Sequence, residues 1–193
     1  MGLMNTEEKL ELTHALKIRS YPGSPMGGDT GVFLVCDDGA LVALIDATGH
    51  GLGAYAVAQK ARALIVQHKE LEPDALLHLL DHHLRGSQGA AASIARIRGD
   101  RLTFAGIGNV AARIDSTHLI TQTGIIGCRM RTPPVQHLPF THDSWLLMHT
   151  DGISTPAGIP PGSASTVVKT LIDTHGSHSD DASAMVVRWQ QKV

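Results

Sequence analysis

The sequence carries no excess of basic charge: 16 Lys and Arg residues stand against 18 Asp and Glu, for a formal net charge of −2. Nothing supplies the cationic surplus that a phosphate backbone demands, so nucleic acid is not an expected partner. Long apolar runs are missing too. No stretch approaches the roughly 18 residues of a membrane-spanning helix, and the first residues, Met1 to Glu8, end in acids and hold no signal-peptide core. No membrane association is expected, and the expected compartment is the cytoplasm. Cysteine is scarce. Cys36 and Cys128 are the only two, in no metal-type pair spacing, and are expected as free thiols in a reducing compartment. The 12 histidines are scattered, and the adjacent His82 and His83 point in different directions on a predicted helix, so they form no ligand pair.

What is present fits one domain spanning 1–193. A partly alternating pattern predicts a first strand over 11–18, followed by a Pro/Gly loop from Tyr21 to Asp29. Apolar strands over 31–36 and 40–46 flank Asp37-Asp38-Gly39, a hairpin signal. Spacing of three and four predicts a helix over 54–71. Pro73 opens a second, with Leu76, Leu77, Leu80 and Leu84 on its core side, and the two are expected to form an antiparallel pair. Strands over 90–98, 101–106, 110–115 and 118–121, with turns at Gly99-Asp100 and Gly108-Asn109, read as an antiparallel meander. That makes Asn109 a hairpin-turn residue. A loop over 124–134 displays Arg129 and Arg131 toward solvent or an acidic partner surface. Strands over 135–139 and 145–150, a helix over 163–175 stopped at Gly176, and a strand over 182–189 complete the chain. The expected class is α+β: a central antiparallel β-sandwich with helices outside, in α-β-β-α layers.

Four acids share one local context. Asp29 follows Gly27-Gly28; Asp46 ends an apolar strand before Ala47-Thr48-Gly49-His50-Gly51; Asp151 follows 145–150 and precedes Gly152; Asp180-Asp181 precede the last strand. Each lies where an extended run meets a small-residue turn. Such acids serve as turn and helix caps. Alternatively, strand ends meeting at one sandwich edge would crowd the carboxylates together, which bare anions do not tolerate and divalent cations stabilise. Oxygen-only donors select Mg²⁺ or Mn²⁺ over zinc, and a pair of such ions suits in-line displacement at phosphorus.

Gly27-Gly28-Asp29, Asp46-Ala47-Thr48-Gly49-His50-Gly51, Thr150-Asp151-Gly152-Ile153 and Asp180-Asp181-Ala182-Ser183 occur in an order that resembles the successive motifs of metal-dependent (PPM, type 2C) protein phosphatases of the SpoIIE-like branch. The length, together with the 85–97 stretch and Ala105-Gly106-Ile107-Gly108-Asn109, is most similar to the RsbX group. The resemblance implies a PPM phosphatase-like sandwich holding Mn²⁺ or Mg²⁺, two ions, at one end. It implies Asp46, Asp151 and Asp180 as direct ligands, a backbone carbonyl from Ala47 and a water held by Asp29; Asp181, next in the chain to Asp180, is expected to support it. The resemblance further implies hydrolysis of phosphoserine and phosphothreonine in STAS-domain proteins of the stressosome, a negative feedback in bacterial stress signalling, by a monomer. Alternatives are a SpoIIE- or RsbU-like phosphatase of an anti-anti-sigma factor and a non-catalytic binding module on the same fold.

Two departures shape the expected chemistry. Ala47 stands where the family usually has Gly, and a carbonyl ligand survives that change. Thr48 stands where the eukaryotic enzymes place a histidine proposed as general acid, leaving water of the metal site or His50 to protonate the leaving oxygen. The phosphate-clamping Arg of those enzymes has no counterpart before Asp29, although Arg19 is nearby. Phosphate is then expected on the metals and on backbone N–H groups from Gly49 and Gly51 at the helix start.

Overall fold

The computed structural model describes residues 11–21 and 26–190. Residues 1–10, on which the signal-peptide reading rests, and 22–25 of the predicted Pro/Gly loop lie outside the described residues. The chain opens with β1 (Glu11–Arg19), β2 (Asp29–Cys36) and β3 (Gly39–Ala47), followed by α1 (Gly51–Gln67) and α2 (Pro73–His83). It continues through β4 (Ala90–Arg98), β5 (Arg101–Ile107), β6 (Ala111–Ile114), β7 (Thr117–His118), β8 (Gln136–Pro139) and β9 (Trp145–His149), and ends with α3 (Ala164–His175) and β10 (Ala182–Gln190). Among the described residues the strands form two five-stranded antiparallel sheets, ordered β1-β10-β9-β6-β7 and β2-β3-β4-β5-β8.

The strands at the centre of the second sheet are apolar on both faces because both faces are covered. Along β3, Leu41, Ala43, Ile45 and Ala47 meet α1 and α2, while Val42 and Leu44 meet the opposite sheet. α1 turns Ala54, Val57, Ala58, Ala61 and Ile65 inward, and its alanines let the helix lie close to the sheet. α2 adds Leu76, Leu77 and Leu80. On the far side, α3 packs Val167, Val168, Leu171 and Ile172 against Leu147, Ala184 and Val186. Each fully buried Leu or Ile contributes about 1.5–3 kcal/mol of transfer free energy. Ser163 caps α3 by accepting the Thr166 N–H at 3.3 Å. The α-β-β-α layering expected from the sequence is the observed architecture.

Two expectations are corrected. α1 stops at Gln67 rather than at 71, because the fully buried Arg96 of β4 gathers the link between the helices: its guanidinium donates to the carbonyls of Lys69 and Leu71, the latter at 2.7 Å. Those carbonyls serve the arginine instead of a further helical turn. The Gly108-Asn109 hairpin does not form. β5 pairs with β4 and β8, whereas β6 pairs with β7 and β9 in the other sheet. Residues 108–110 therefore cross between sheets, drawn by Val110, which is buried in the core between them and whose carbonyl accepts from Ser93 Oγ at 2.6 Å. Gly108 takes a φ of +87° there, and a Cβ would lie 2.6 Å from that of Ala91.

The ends of β9 and β10 are drawn together at Gly152, whose hypothetical Cβ falls 1.8 Å from the Asp181 carbonyl oxygen. Backbone cannot yield there as a flexible side chain would. Gly152→Ala is expected to lower stability to urea by about 1–3 kcal/mol. Gly158→Ala, where a Cβ meets nothing within 4 Å, is expected to stay within about 0.5 kcal/mol of the parent.

Candidate active site

The antiparallel register of β2 and β3 sets Asp29 directly opposite Asp46, so two carboxylates share one end of the second sheet. The first sheet reaches them from the other side. Thr150, just after β9, and Ser183, in β10, both donate their hydroxyls to Asp29 Oδ2, at 2.9 and 2.8 Å. Asp29 Oδ1 is buried and has no partner. Asp46, Asp151 and Asp180 line a cleft of about 760 Å³ together with Thr48, Gly49, His50 and Asn109. Asp46 is half-buried, and Asp151 and Asp180 are exposed. The strand-end acids of the sequence thus surround one place, with Asp29 behind the wall.

Asp181 does different work from its neighbour. Its buried carboxylate accepts the backbone N–H groups of Tyr21 and Gly28, each at 2.6 Å, and so pins the chain that leads into Asp29. The expected support of Asp180 by Asp181 comes from the backbone: the Asp181 N–H donates to Asp180 Oδ1 at 2.8 Å. Gly28 in turn accepts the Ala47 N–H at 3.0 Å. A Cβ on Gly28 would stand 2.7 Å from the Ala47 carbonyl oxygen, so the glycine is required for the two backbones to approach.

Gly49 and Gly51 adopt φ of +86° and +77°, a region open to glycine at little cost. His50 between them is the N-cap of α1, makes no side-chain capping bond, and lies with its ring centroid 6.3 Å from that of Tyr21. The Arg19 guanidinium is engaged elsewhere, donating to the carbonyls of Ile172, at 3.3 Å, and Ser177. It is no substitute for a phosphate clamp, and among the described residues no Lys or Arg lines the cleft. Cys36 and Cys128 are free. Arg129 and Arg131 are exposed and outside the lining.

Three participants escaped the sequence reading. Asn109, taken for a turn residue, donates Nδ2–H to Asp151 Oδ2 at 2.5 Å, because the chain crosses sheets at that point. Thr150 and Ser183 are the hydroxyl donors to Asp29. Both stand inside the quoted acidic motifs, Thr150-Asp151-Gly152-Ile153 and Asp180-Asp181-Ala182-Ser183, but nothing in the sequence assigns their hydroxyls to Asp29.

Burial raises Asp29 from the ordinary 3.8 to about 7, against the opposing pull of the Ser183 and Thr150 hydroxyls. Asp46 is raised to about 8, by burial first and then by the charges of Asp29, Asp151, Asp180 and Asp181. The two titrate as a pair. Among the described residues no three His, Cys, Asp or Glu side chains close on one point as a ready cation cage; the acids ring an open cleft. An all-oxygen donor set with room for water, backed by an unpartnered buried carboxylate oxygen, fits Mg²⁺ or Mn²⁺, which retain part of their hydration.

The architecture matches solved phosphatases. The catalytic domain of the serine/threonine protein phosphatase PstP, solved with two manganese ions, superposes with a TM-score of 0.74 at 16% identity, covering 94% of this chain and 100% of that one. The chain therefore has the fold of the PP2C-type phosphatases. RsbX in complex with magnesium matches with a TM-score of 0.85 at 17% identity over 94% of this chain and 99% of the other. A structure described as the bacterial stressosome, a modular system adapted to control secondary messenger signalling, matches at 0.86 and 23% identity over 92% and 100%. No protein-family model matches the chain, and no curated protein sequence does. Among the described residues no helix is long and apolar enough to cross a membrane.

Raised carboxyl pKa values mean that the metal-free native state binds more protons than the unfolded chain between about pH 4 and about pH 8. Stability is therefore lost as pH rises through that window and levels off above it. Thermal melts in EDTA are expected to show the melting temperature falling from pH 5 to pH 8.5 by more than in Asp46→Asn. An equal slope in the two proteins would contradict the assignment of the strain to this pair.

Proposed function

We propose that the protein is a Mn²⁺- or Mg²⁺-dependent phosphatase of phosphoserine and phosphothreonine in proteins. The observation that carries this is the meeting of Asp46, Asp151 and Asp180 around one cleft at the sandwich edge, in a PP2C-type fold. Asp46, Asp151 and Asp180, with the Ala47 carbonyl, would hold the cations, and Asp29 would orient water through its free oxygen. Bound divalent cations supply Lewis-acid polarisation of phosphoryl oxygens and an activated water at neutral pH.

The rest falls to the chain. Asn109 fixes the Asp151 carboxylate, and the backbone N–H groups of Gly49, in the cleft lining, and of Gly51, two residues on at the start of α1, would receive phosphoryl oxygens where, among the described residues, no Lys or Arg lines the cleft. His50 shapes that turn, and water in the open cleft returns the proton to the leaving oxygen. The likeness to RsbX and to a stressosome structure favours phosphorylated STAS-domain proteins of the stressosome as substrates, a cytoplasmic site of action and a role in negative feedback.

Phosphate release from a phosphorylated stressosome protein tests this. With Mn²⁺ or Mg²⁺ the parent is expected to turn over, and EDTA to abolish it. Asp151→Asn is expected to lose at least about a hundredfold, and Asn109→Ala about ten- to a hundredfold. Mn²⁺ binding without release from any phosphoprotein would leave a non-catalytic binding module.

A further inference from the structure

We propose that a cavity on the outer face of the first sheet is a binding site for a free tetrahedral oxyanion of phosphate's size. Arg113 carries it. Along β6, Ala112 and Ile114 turn into the core between the sheets, so strand alternation sends Arg113 to the opposite face, where it is only 6% exposed. Its Nη1 donates to the Pro156 carbonyl at 3.2 Å, while Nε and Nη2 are buried and, among the described residues, have no partner. Those two nitrogens form one edge of the guanidinium, the fork whose parallel N–H groups match two oxygens of a phosphate or carboxylate. Buried donors left unmet cost free energy that a ligand's oxygens recover. Burial holds the guanidinium below its ordinary pKa, and Asp115, the acid that opposes this, gives its Oδ1 to the Trp145 N–H at 3.0 Å.

The cavity beside this side chain selects the ligand. It encloses about 140 Å³ between Arg113, His118, His149, Thr155 and Pro156, roughly the space of four or five waters. It shares no lining residue with the acid cleft, and among the described residues no acid lines it. The β6–β7 register sets His118 directly across from Arg113. His149 is buried, its Nδ1–H donating to the Thr150 carbonyl at 3.0 Å. A planar carboxylate would place both oxygens on the fork and leave nothing for the Thr155 hydroxyl and the His118 ring. A tetrahedral anion keeps further oxygens for them. A larger cavity of about 380 Å³ on the Trp145 side also touches Arg113, but Asp115 stands in its wall and repels an anion. His118 and Thr155 are exposed and form the way in. The volume admits the ion and not a peptide that carries it.

Calorimetric titrations and thermal melts with phosphate, sulfate and acetate, against NaCl of equal ionic strength, test the site. EDTA is present throughout, so that no cation in the acid cleft can hold the anion. Phosphate and sulfate are expected to bind and to raise the melting temperature with concentration, and acetate to bind at least about tenfold more weakly. Arg113→Met, which fills similar space without the charge, is expected to lose both effects. Arg113→Lys keeps the charge without the fork and is expected to bind phosphate at least about tenfold more weakly; it decides the matter if Arg113→Met does not fold. No phosphate binding by the parent, equal affinity for acetate, or phosphate affinity unchanged in Arg113→Lys would overturn the site. A phosphoserine peptide that binds as well as free phosphate, and loses its affinity in Arg113→Lys, would overturn the assignment to a free ion.

Discussion

Two carboxylates facing each other across a β-ladder are the constraint around which the site is arranged. Asp29 and Asp46 are fixed as neighbours by the β2–β3 register, and no rotation of backbone can separate them. Burial, and after it the charge of neighbouring carboxylates (Asp181 and Asp180 on Asp29; Asp29, Asp151, Asp180 and Asp181 on Asp46), raises both above the usual carboxylate range. Much of the surrounding structure maintains this arrangement. Thr150 and Ser183 donate to Asp29 from the other sheet, Asp181 secures the chain entering β2, and Gly28 and Gly152 permit backbone contacts that a Cβ would forbid. An arrangement that costs stability when bare, and that positive charge would relieve, is what a cation site requires.

The two sheets have different parts in this. The second sheet, covered on both faces by helices and by its partner, is the rigid base that delivers Asp46 and begins α1 at the cleft. The first sheet brings Asp151 and Asp180 at the ends of connections around β9 and β10. The site thus exists only where the sheets are stacked in register, and the crossover at 108–110 ties them at that edge. Asn109 lies on that crossover and holds Asp151, so the link that joins the layers also orients a site carboxylate.

The fold was legible because its signals are local and periodic. The β2–β3 hairpin, β4 from Ala90 to Arg98 and the Pro73 start of α2 were placed from apolar alternation and turn residues alone. The partition of strands between sheets was not, since Gly108-Asn109 has the composition of a hairpin turn and only the burial of Val110 between layers makes it a crossover. The acids of the site could be named from their strand-end positions. Their division of labour could not: Asp180 and Asp181 are adjacent and chemically identical, and only their burial separates a cleft carboxylate from one that holds backbone. Hydroxyl and amide partners such as Thr150, Ser183 and Asn109 act across long sequence separations, which no local pattern encodes.

The most direct measurement is calorimetric titration of the protein with Mn²⁺ at pH 7 in two buffers of different ionisation enthalpy. With Asp29 and Asp46 raised by burial to about 7 and about 8, cation entry draws off the protons they retain at pH 7, so binding with net proton release, diminished in Asp46→Asn, is expected. No binding, or binding undiminished in Asp46→Asn, would contradict the assignment of this carboxylate cluster as a divalent-cation site.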